Sequence, residues 1–249
     1  MSKKVLIIPL AGAGSRFQNK GWKIPKPFIP INGDSMLLKT LRSFSLAVRR
    51  EMIYKILLIA RVDHRAYLDC FLSNLSKKEK ENIEVCYLPQ MTQGAACTVL
   101  AARKYYTDNS IIVADCDTSY DENDILEFCE ILEKEKPSLA LTCFFSKDNK
   151  FSYIDDSKIP PLLAEKKVIS YKALSGIYFF DDSSLFNDAV MDLMIYGEKE
   201  MGEYYISRIV KECAERYKLK VYTYMLSKER IYFYGTPEQL SEYVNSIGE

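Results

Sequence analysis

Val5-Leu6-Ile7-Ile8-Pro9-Leu10 runs directly into Ala11-Gly12-Ala13-Gly14-Ser15-Arg16-Phe17, and the join between the two stretches decides the fold. The first stretch is an unbroken apolar run, the pattern of a strand covered on both faces. The second is a turn whose glycines let the backbone approach a ligand and point N–H groups at phosphate. Two common glycine-rich fingerprints do not fit. A Walker A motif would end in Gly-Lys-Ser/Thr, and a dinucleotide fingerprint needs a third glycine where Phe17 stands. By themselves the glycines serve equally as a turn among solvated basic residues. Arg16 and the following Ile24-Pro25-Lys26-Pro27 shift the balance toward phosphate. A guanidinium grips phosphate oxygens in pairs, and a lysine adds a point charge.

Working outward, strand-like and helix-like runs alternate. Strand patterns cover 53–60, 83–88, 110–114 and 138–145. Helical patterns cover 35–50, 63–75, 94–106 and 124–135, with Ser35 as an N-cap. This rhythm predicts an α/β fold, a mostly parallel Rossmann-like sheet with helices on both faces, whose ligands sit beyond the carboxyl ends of the strands. The later part reads as strands at 166–171, 175–180, 220–226 and 231–234, with helices at 183–195, 203–217 and 237–246. No linker, repeat or low-complexity tract divides the chain. One domain over 1–249 is expected, with a nucleotide-binding half (1–150) and an acceptor-binding half (151–249), the latter a C-terminal α+β extension that covers the substrate.

Bulk composition narrows the class. The chain has 249 residues, 48% of them hydrophobic, enough for one substantial core. Lys+Arg and Asp+Glu balance at 34 each, so no nucleic-acid partner is expected and anion binding must be local. Met1-Ser2-Lys3-Lys4 ahead of a short apolar run imitates a signal peptide, but the glycine-rich, charged stretch after it argues against one. No run approaches the roughly 18 apolar residues of a membrane span. Seven cysteines without a CxxC pair read as reduced, mostly buried thiols of a cytoplasmic protein.

Further motifs sit at strand ends. Val113-Ala114-Asp115-Cys116-Asp117-Thr118 places Asp115 and Asp117 on one side if the strand persists, where they hold a cation or cap a turn. In Gln90-Met91-Thr92-Gln93-Gly94-Ala95-Ala96, Gln93 can read a base edge, Gly94 allows close approach and Ala95 leaves room for a ring. The same residues also suit an alanine-rich helix packed on the sheet. Glu165-Lys166-Lys167 is equally a solvated face, and Glu203 equally a helix-start acid.

Together these motifs resemble the sugar-phosphate nucleotidylyltransferases, the nucleoside-diphosphate-sugar pyrophosphorylases, and look most like small capsule- and lipopolysaccharide-type members. The likeness rests on the Gly-x-Gly-x-Arg loop, the Pro-Lys pair, 90–96, 113–118, 165–170, Leu174-Ser175-Gly176-Ile177-Tyr178, Gly202-Glu203-Tyr204 and the closing Gly235-Thr236-Pro237-Glu238. It implies the nucleotide-diphospho-sugar transferase fold and a reaction between an NTP and a sugar 1-phosphate. By this match, Arg16 and Lys26 are catalytic, and Leu10, Ala11, Gly12, Ala13, Gly14, Gln93, Gly94 and Ala95 bind nucleotide. Lys166, Gly176 and Glu203 bind the acceptor. Asp117, with Asp115, holds Mg2+.

The chain departs from the pattern at Phe233, where many members carry an Asp as a second metal ligand. The Asp-x-Asp strand end also suits a nucleotide-sugar-dependent glycosyltransferase, and Phe233 a non-catalytic nucleotide-sugar-binding homologue. His64, the only histidine, is expected to be structural or solvent-facing, which leaves no Ser-His-Asp triad. Trp22 either packs in its loop or covers phosphate. A homo-oligomer is compatible with the sequence, which leaves the base, the acceptor and the oligomeric state open.

Overall fold

The computed structural model describes residues 3–247, so Met1 and Ser2 of the charged N-terminal stretch lie outside it. In chain order the first part comprises β1 (Lys4–Pro9), α1 (Ser15–Gln18), β2 (Pro30–Ile31), β3 (Asp34–Ser35), α2 (Met36–Ser43), α3 (Ser45–Arg49), β4 (Ile53–Arg61), α4 (Arg65–Asn74), α5 (Lys77–Lys80) and β5 (Ile83–Leu88). Then come α6 (Ala95–Ala101), β6 (Ser110–Ala114), β7 (Thr118–Tyr120), α7 (Glu122–Glu135) and β8 (Leu139–Phe145). The rest is β9 (Tyr153–Asp155), β10 (Leu162–Ala164), β11 (Lys172–Phe180), α8 (Ser183–Tyr196), α9 (Ile206–Tyr217), β12 (Val221–Met225), β13 (Ile231–Phe233) and α10 (Pro237–Ile247).

The apolar runs become strands because helices cover them from both sides. β1 lies between β4 and β6, all parallel, and β5 extends the edge beyond β4. Val5 and Ile7 face one core with α6, α8 and α9; Leu6 and Ile8 face the other with α2, α3, α4 and α7. This alternation is the strand pleat itself. β11 then joins β6 and β8 in antiparallel fashion, and β12 adds in parallel to β8. The register between β11 and β8 slips between Leu174 and Tyr178, around Gly176 at φ 99°. Irregularities of this kind re-aim strands beside active sites.

The chain end returns to the first half. β13 pairs with β7 (Phe233 opposite Thr118), and Tyr234 and Leu240 bury against Phe17, Ile29 and Met36. Among the described residues no helix is long and apolar enough to cross a membrane.

Several expected elements differ. The helix over 35–50 is two, α2 and α3, with a turn at Phe44 between them; Ser35 does cap α2, accepting from Leu38 N at 3.1 Å. The helix over 94–106 is α6 followed by a separate turn at Arg103–Tyr105. Residues 166–171 form no strand, whereas β9 and β10 just before them pair as a small hairpin. The helix expected from 203 starts at Ile206, since the main chain at Tyr204 is bonded to Gln93 and Ala96 instead.

Candidate active site

The glycine turn is fixed from beneath. Leu10 N donates to Ile59 O at 2.7 Å, and Leu10 and Ala11 are buried in the core. These two therefore set the turn and do not face a cavity. Gly12, Ala13 and Gly14 do face one. Gly14 has φ 63°, and a Cβ there would lie 3.1 Å from Lys26 Cβ, so neither its backbone nor its neighbour admits a side chain easily. One turn of α1 sends Phe17 inward and leaves Arg16 exposed at the cleft. Trp22 packs edge-on against Phe17 at 6.0 Å and is not part of the cavity wall, so it belongs to the loop.

Lys26 reaches across the cleft and donates to the Asp117 carboxylate. Burial alone would lower its pKa, but the Asp117 carboxylate, which also accepts its hydrogen bond, outweighs that and raises it. The ammonium is thus held charged on a partly buried carboxylate.

β6 ends at Ala114 and β7 begins at Thr118, so the strand does not persist through the acids. Asp115 and Asp117 share the cleft through the turn between these strands. Each carboxylate lies against a glycine. A Cβ on Gly176 would sit 2.6 Å from Asp115 Oδ2, and one on Gly235 2.6 Å from Asp117 Oδ2. Burial pushes the Asp115 carboxyl up to about 8; Asp117 adds to the rise and Lys26 opposes it. Phe233 lines the same cavity but turns its ring onto Phe144 and Phe151, with centroids 5.2 and 5.0 Å away.

No group of three or more His, Cys, Asp and Glu side chains able to hold a metal occurs among the described residues. Asp115 and Asp117 do bring two carboxylates to one cleft, the oxygen-donor type that magnesium takes.

Lys166 lines the cleft from a backbone at φ 49°, and Glu203 lines the same cavity. Glu165 accepts from the hydroxyls of Ser152 and Ser207. Burial raises its pKa and these two bonds act against the rise. The nucleotide-side segment is only partly at the cleft. Ala95 lines it, but Gln93 is exposed outside the cavity wall, and its carbonyl accepts from Tyr204 N at 3.0 Å. Gly94 makes its close approach to Tyr204, whose N and O would each lie 2.6 Å from a Cβ.

Two cavities of about 680 and 450 Å³ share Arg16, Asp115, Asp117, Lys150, Ser152 and Lys166 as a common wall. Gly176 lines the larger, and Lys26 and Glu203 the smaller. Lys150, Ser152 and Ser207 were not legible as site residues. Glu165 was, in principle, since it stands next to Lys166.

Neither a family model nor a curated protein sequence matches the chain. Solved structures do. The nucleoside-diphosphate-sugar pyrophosphorylase of Vibrio cholerae RC9 superposes with a TM-score of 0.77 at 22% identity, over 96% of this chain and 99% of that one. A UDP-glucose pyrophosphorylase solved with UDP-glucose gives 0.73 at 18%, over 100% and 99%. The inositol-1-phosphate CTP transferase of T. maritima gives 0.71 at 12%, over 100% and 98%. The chain shares the fold of these nucleotidyltransferases over nearly its whole length.

Proposed function

We propose that this protein is a nucleotidylyltransferase that condenses an NTP with a sugar 1-phosphate, giving a nucleoside-diphosphate sugar and pyrophosphate. The observation that carries the reading is the common wall. Arg16, Lys150, Lys166 and a carboxylate pair line both halves of one divided cleft, and the glycine turn and Lys26 line the smaller half. The named activities of the structural neighbours agree with it.

An acceptor phosphate oxygen attacks the α-phosphorus of the NTP. The new O–P bond forms as the α–β phosphoanhydride breaks, and pyrophosphate carries away the electron pair. A phosphate is already ionised at neutral pH, so no general base is needed, and catalysis is alignment plus charge neutralisation. Arg16 stabilises the leaving pyrophosphate. Lys26 bridges α-phosphate and acceptor, and Lys166 orients the acceptor phosphate. Asp117, with Asp115 beside it, would hold Mg2+, which when bound supplies further positive charge to the phosphates.

A panel of NTPs against sugar 1-phosphates, read by pyrophosphate release, tests the reading. Magnesium-dependent release that requires both substrates is expected. Release of nucleoside diphosphate from a nucleotide sugar, with no pyrophosphate from any pair, would replace it with the glycosyltransferase that the Asp-x-Asp motif also suits.

A further inference from the structure

The segment 200–207 touches both sides of the cleft by different bonds. Glu200 N donates to Glu203 O at 3.1 Å and Glu203 N to Glu200 O at 3.0 Å. Between them Met201 and Gly202 have φ 49° and 87°, the geometry of a two-residue hairpin turn. The arm that follows lies along the nucleotide-side segment. Tyr204 N donates to Gln93 O at 3.0 Å, and Ala96 N to Tyr204 O at 3.1 Å. Gly94 sits between these two bonds at φ 133°, with no room for a Cβ.

The same arm continues into the acceptor side. Tyr205, Ile206 and Ser207 line the cleft. Ser207 Oγ donates to one oxygen of Glu165, and Ser152 Oγ donates to the other. Glu165 N donates to Glu200 Oε1 at 3.4 Å, and the next residue is Lys166. A path of hydrogen bonds and main chain therefore runs from Gln93 and Ala96, on either side of Gly94, to Tyr204, along the chain to Ser207, and on to the carboxylate next to Lys166. Ser152 holds the other oxygen of that carboxylate.

We propose that Gly94 and Glu165 are positioning residues at the two ends of one bridge, through which the nucleotide-side main chain places the acceptor-side Lys166 and Glu203. The kinetic consequence rests on the nucleotidyl-transfer reading above; the bridge itself does not. A residue that acts this way moves the acceptor's parameters from a place that never touches the acceptor.

Gly94→Ala tests the near end and Glu165→Gln, compared with Glu165→Ala, the far end. In ligand-free protein, Gly94→Ala should speed hydrogen exchange about tenfold or more at 203–207 and also at 165–166, because the local opening energy falls along the path. It should raise the acceptor KM at least about fivefold more than the NTP KM. Glu165→Gln retains hydrogen-bonding groups for both serines and should stay within about threefold of wild type, while Glu165→Ala should follow Gly94→Ala. Since Gly94→Ala could disturb folding broadly, Ser207→Ala, which removes one hydroxyl, should move the same two readouts by less. Faster exchange confined to 93–96 and 204, with 165–166 unchanged in both Gly94→Ala and Ser207→Ala, would overturn the bridge. So would a Glu165→Gln enzyme as damaged as Glu165→Ala. If wild-type protein releases no pyrophosphate from any substrate pair, the functional reading fails and the exchange experiment alone judges the bridge.

Discussion

The two walls of the cleft are held by different forces. The nucleotide wall is main chain: β1 hydrogen-bonded on both sides, a glycine turn pinned by Leu10 N on Ile59 O, and cores above and below. The acceptor wall is stitched by side chains. Glu165 takes two serine hydroxyls, and behind the cavity lining Asp156 takes Lys172 and, at 2.7 Å, Thr223. Main-chain ladders tolerate exchange of side chains that keep the apolar pattern, whereas each stitched bond depends on one residue identity. On the function proposed above, the first wall is the general scaffold and the second the one expected to set selectivity.

The seam between the walls is the Lys26–Asp117 pair, and it is where the largest effects should fall. Asp117→Asn should lower turnover at least about 100-fold, as loss of a preorganised electrostatic group does. It also leaves the Lys26 ammonium without its carboxylate and should lower the melting temperature, as loss of either partner of this pair does. Lys26→Met should lose as much turnover and also destabilise the fold by about 3 kcal/mol, because a mostly buried carboxylate is left without its cation. Pyrophosphate release and thermal melts of both variants separate charge from packing. Wild-type turnover and magnesium dependence in Asp117→Asn would remove this residue from the mechanism.

Phe233 marks the point where the two walls were hardest to tell apart by sequence. The family resemblance places an acid there, and the structure shows instead an aromatic trio with Phe144 and Phe151. Phe233→Asp should not recreate a metal site. It should cost about 3 kcal/mol through loss of the ring, with a further penalty from a third carboxylate near Asp115 and Asp117. Phe233→Leu should cost about 1 kcal/mol and keep most activity. Chemical denaturation and magnesium titration of the two variants check this; tighter magnesium dependence in Phe233→Asp would mean the trio is dispensable.

The same contrast explains what could be read in advance. β1, β4, β6 and β8 were legible because strands buried on both faces are largely continuous apolar runs bounded by turns. Residues 166–171 carry a strand-like composition, yet Val168 and Tyr171 are 41% and 62% exposed, so no core rewards pairing there. β9 and β10 have three residues each, too few for any periodicity to show. Arg16, Lys26 and Asp117 follow motifs on the scaffold, and the structure brings all three to one cavity. Ser152 and Ser207 matter only through a carboxylate distant in sequence, so no local signal announces them. Gln93 carried the right position and the wrong group: its carbonyl, which every residue has, does the holding.

Asp115 gives a smaller and oppositely signed effect. Its pKa is raised from the usual 3.8 to about 8, chiefly by burial, so the folded protein keeps a proton there that the unfolded chain loses. Stability from this site is full below about pH 4 and declines as pH rises toward 8. Asp115→Asn removes that decline. The variant should melt higher than wild type, by about 1 kcal/mol or more at pH 8 and by less at pH 5. Turnover should stay within about threefold, since Asp117 is the principal ligand. A lower melting temperature at pH 8 would contradict the burial argument.

His64 offers the mildest way to probe the nucleotide wall alone. It is 3% exposed, stands edge-on to Phe28, and its Nε2 lies 3.0 Å from the Arg61 guanidinium. Because guanidinium only donates, Nε2 must accept, and the ring must be neutral with its proton on Nδ1. Nδ1 is buried without a well-formed hydrogen bond and is only weakly supported by the Leu10 main chain. Burial, then Arg61, lower its pKa below 6.5, against the pull of Asp63. The unfolded chain therefore takes up a proton before the folded one does, and stability falls as pH drops below about 6.5. His64→Gln can accept from Arg61 and donate toward Leu10 without titrating. Wild type should lose stability between pH 7 and pH 5 relative to this variant, which should otherwise keep its activity at pH 7.5. Because Leu10 anchors the glycine turn, the wild-type loss should appear as a rising NTP KM before the acceptor KM moves. An acceptor KM that rises first would place His64 with the other wall.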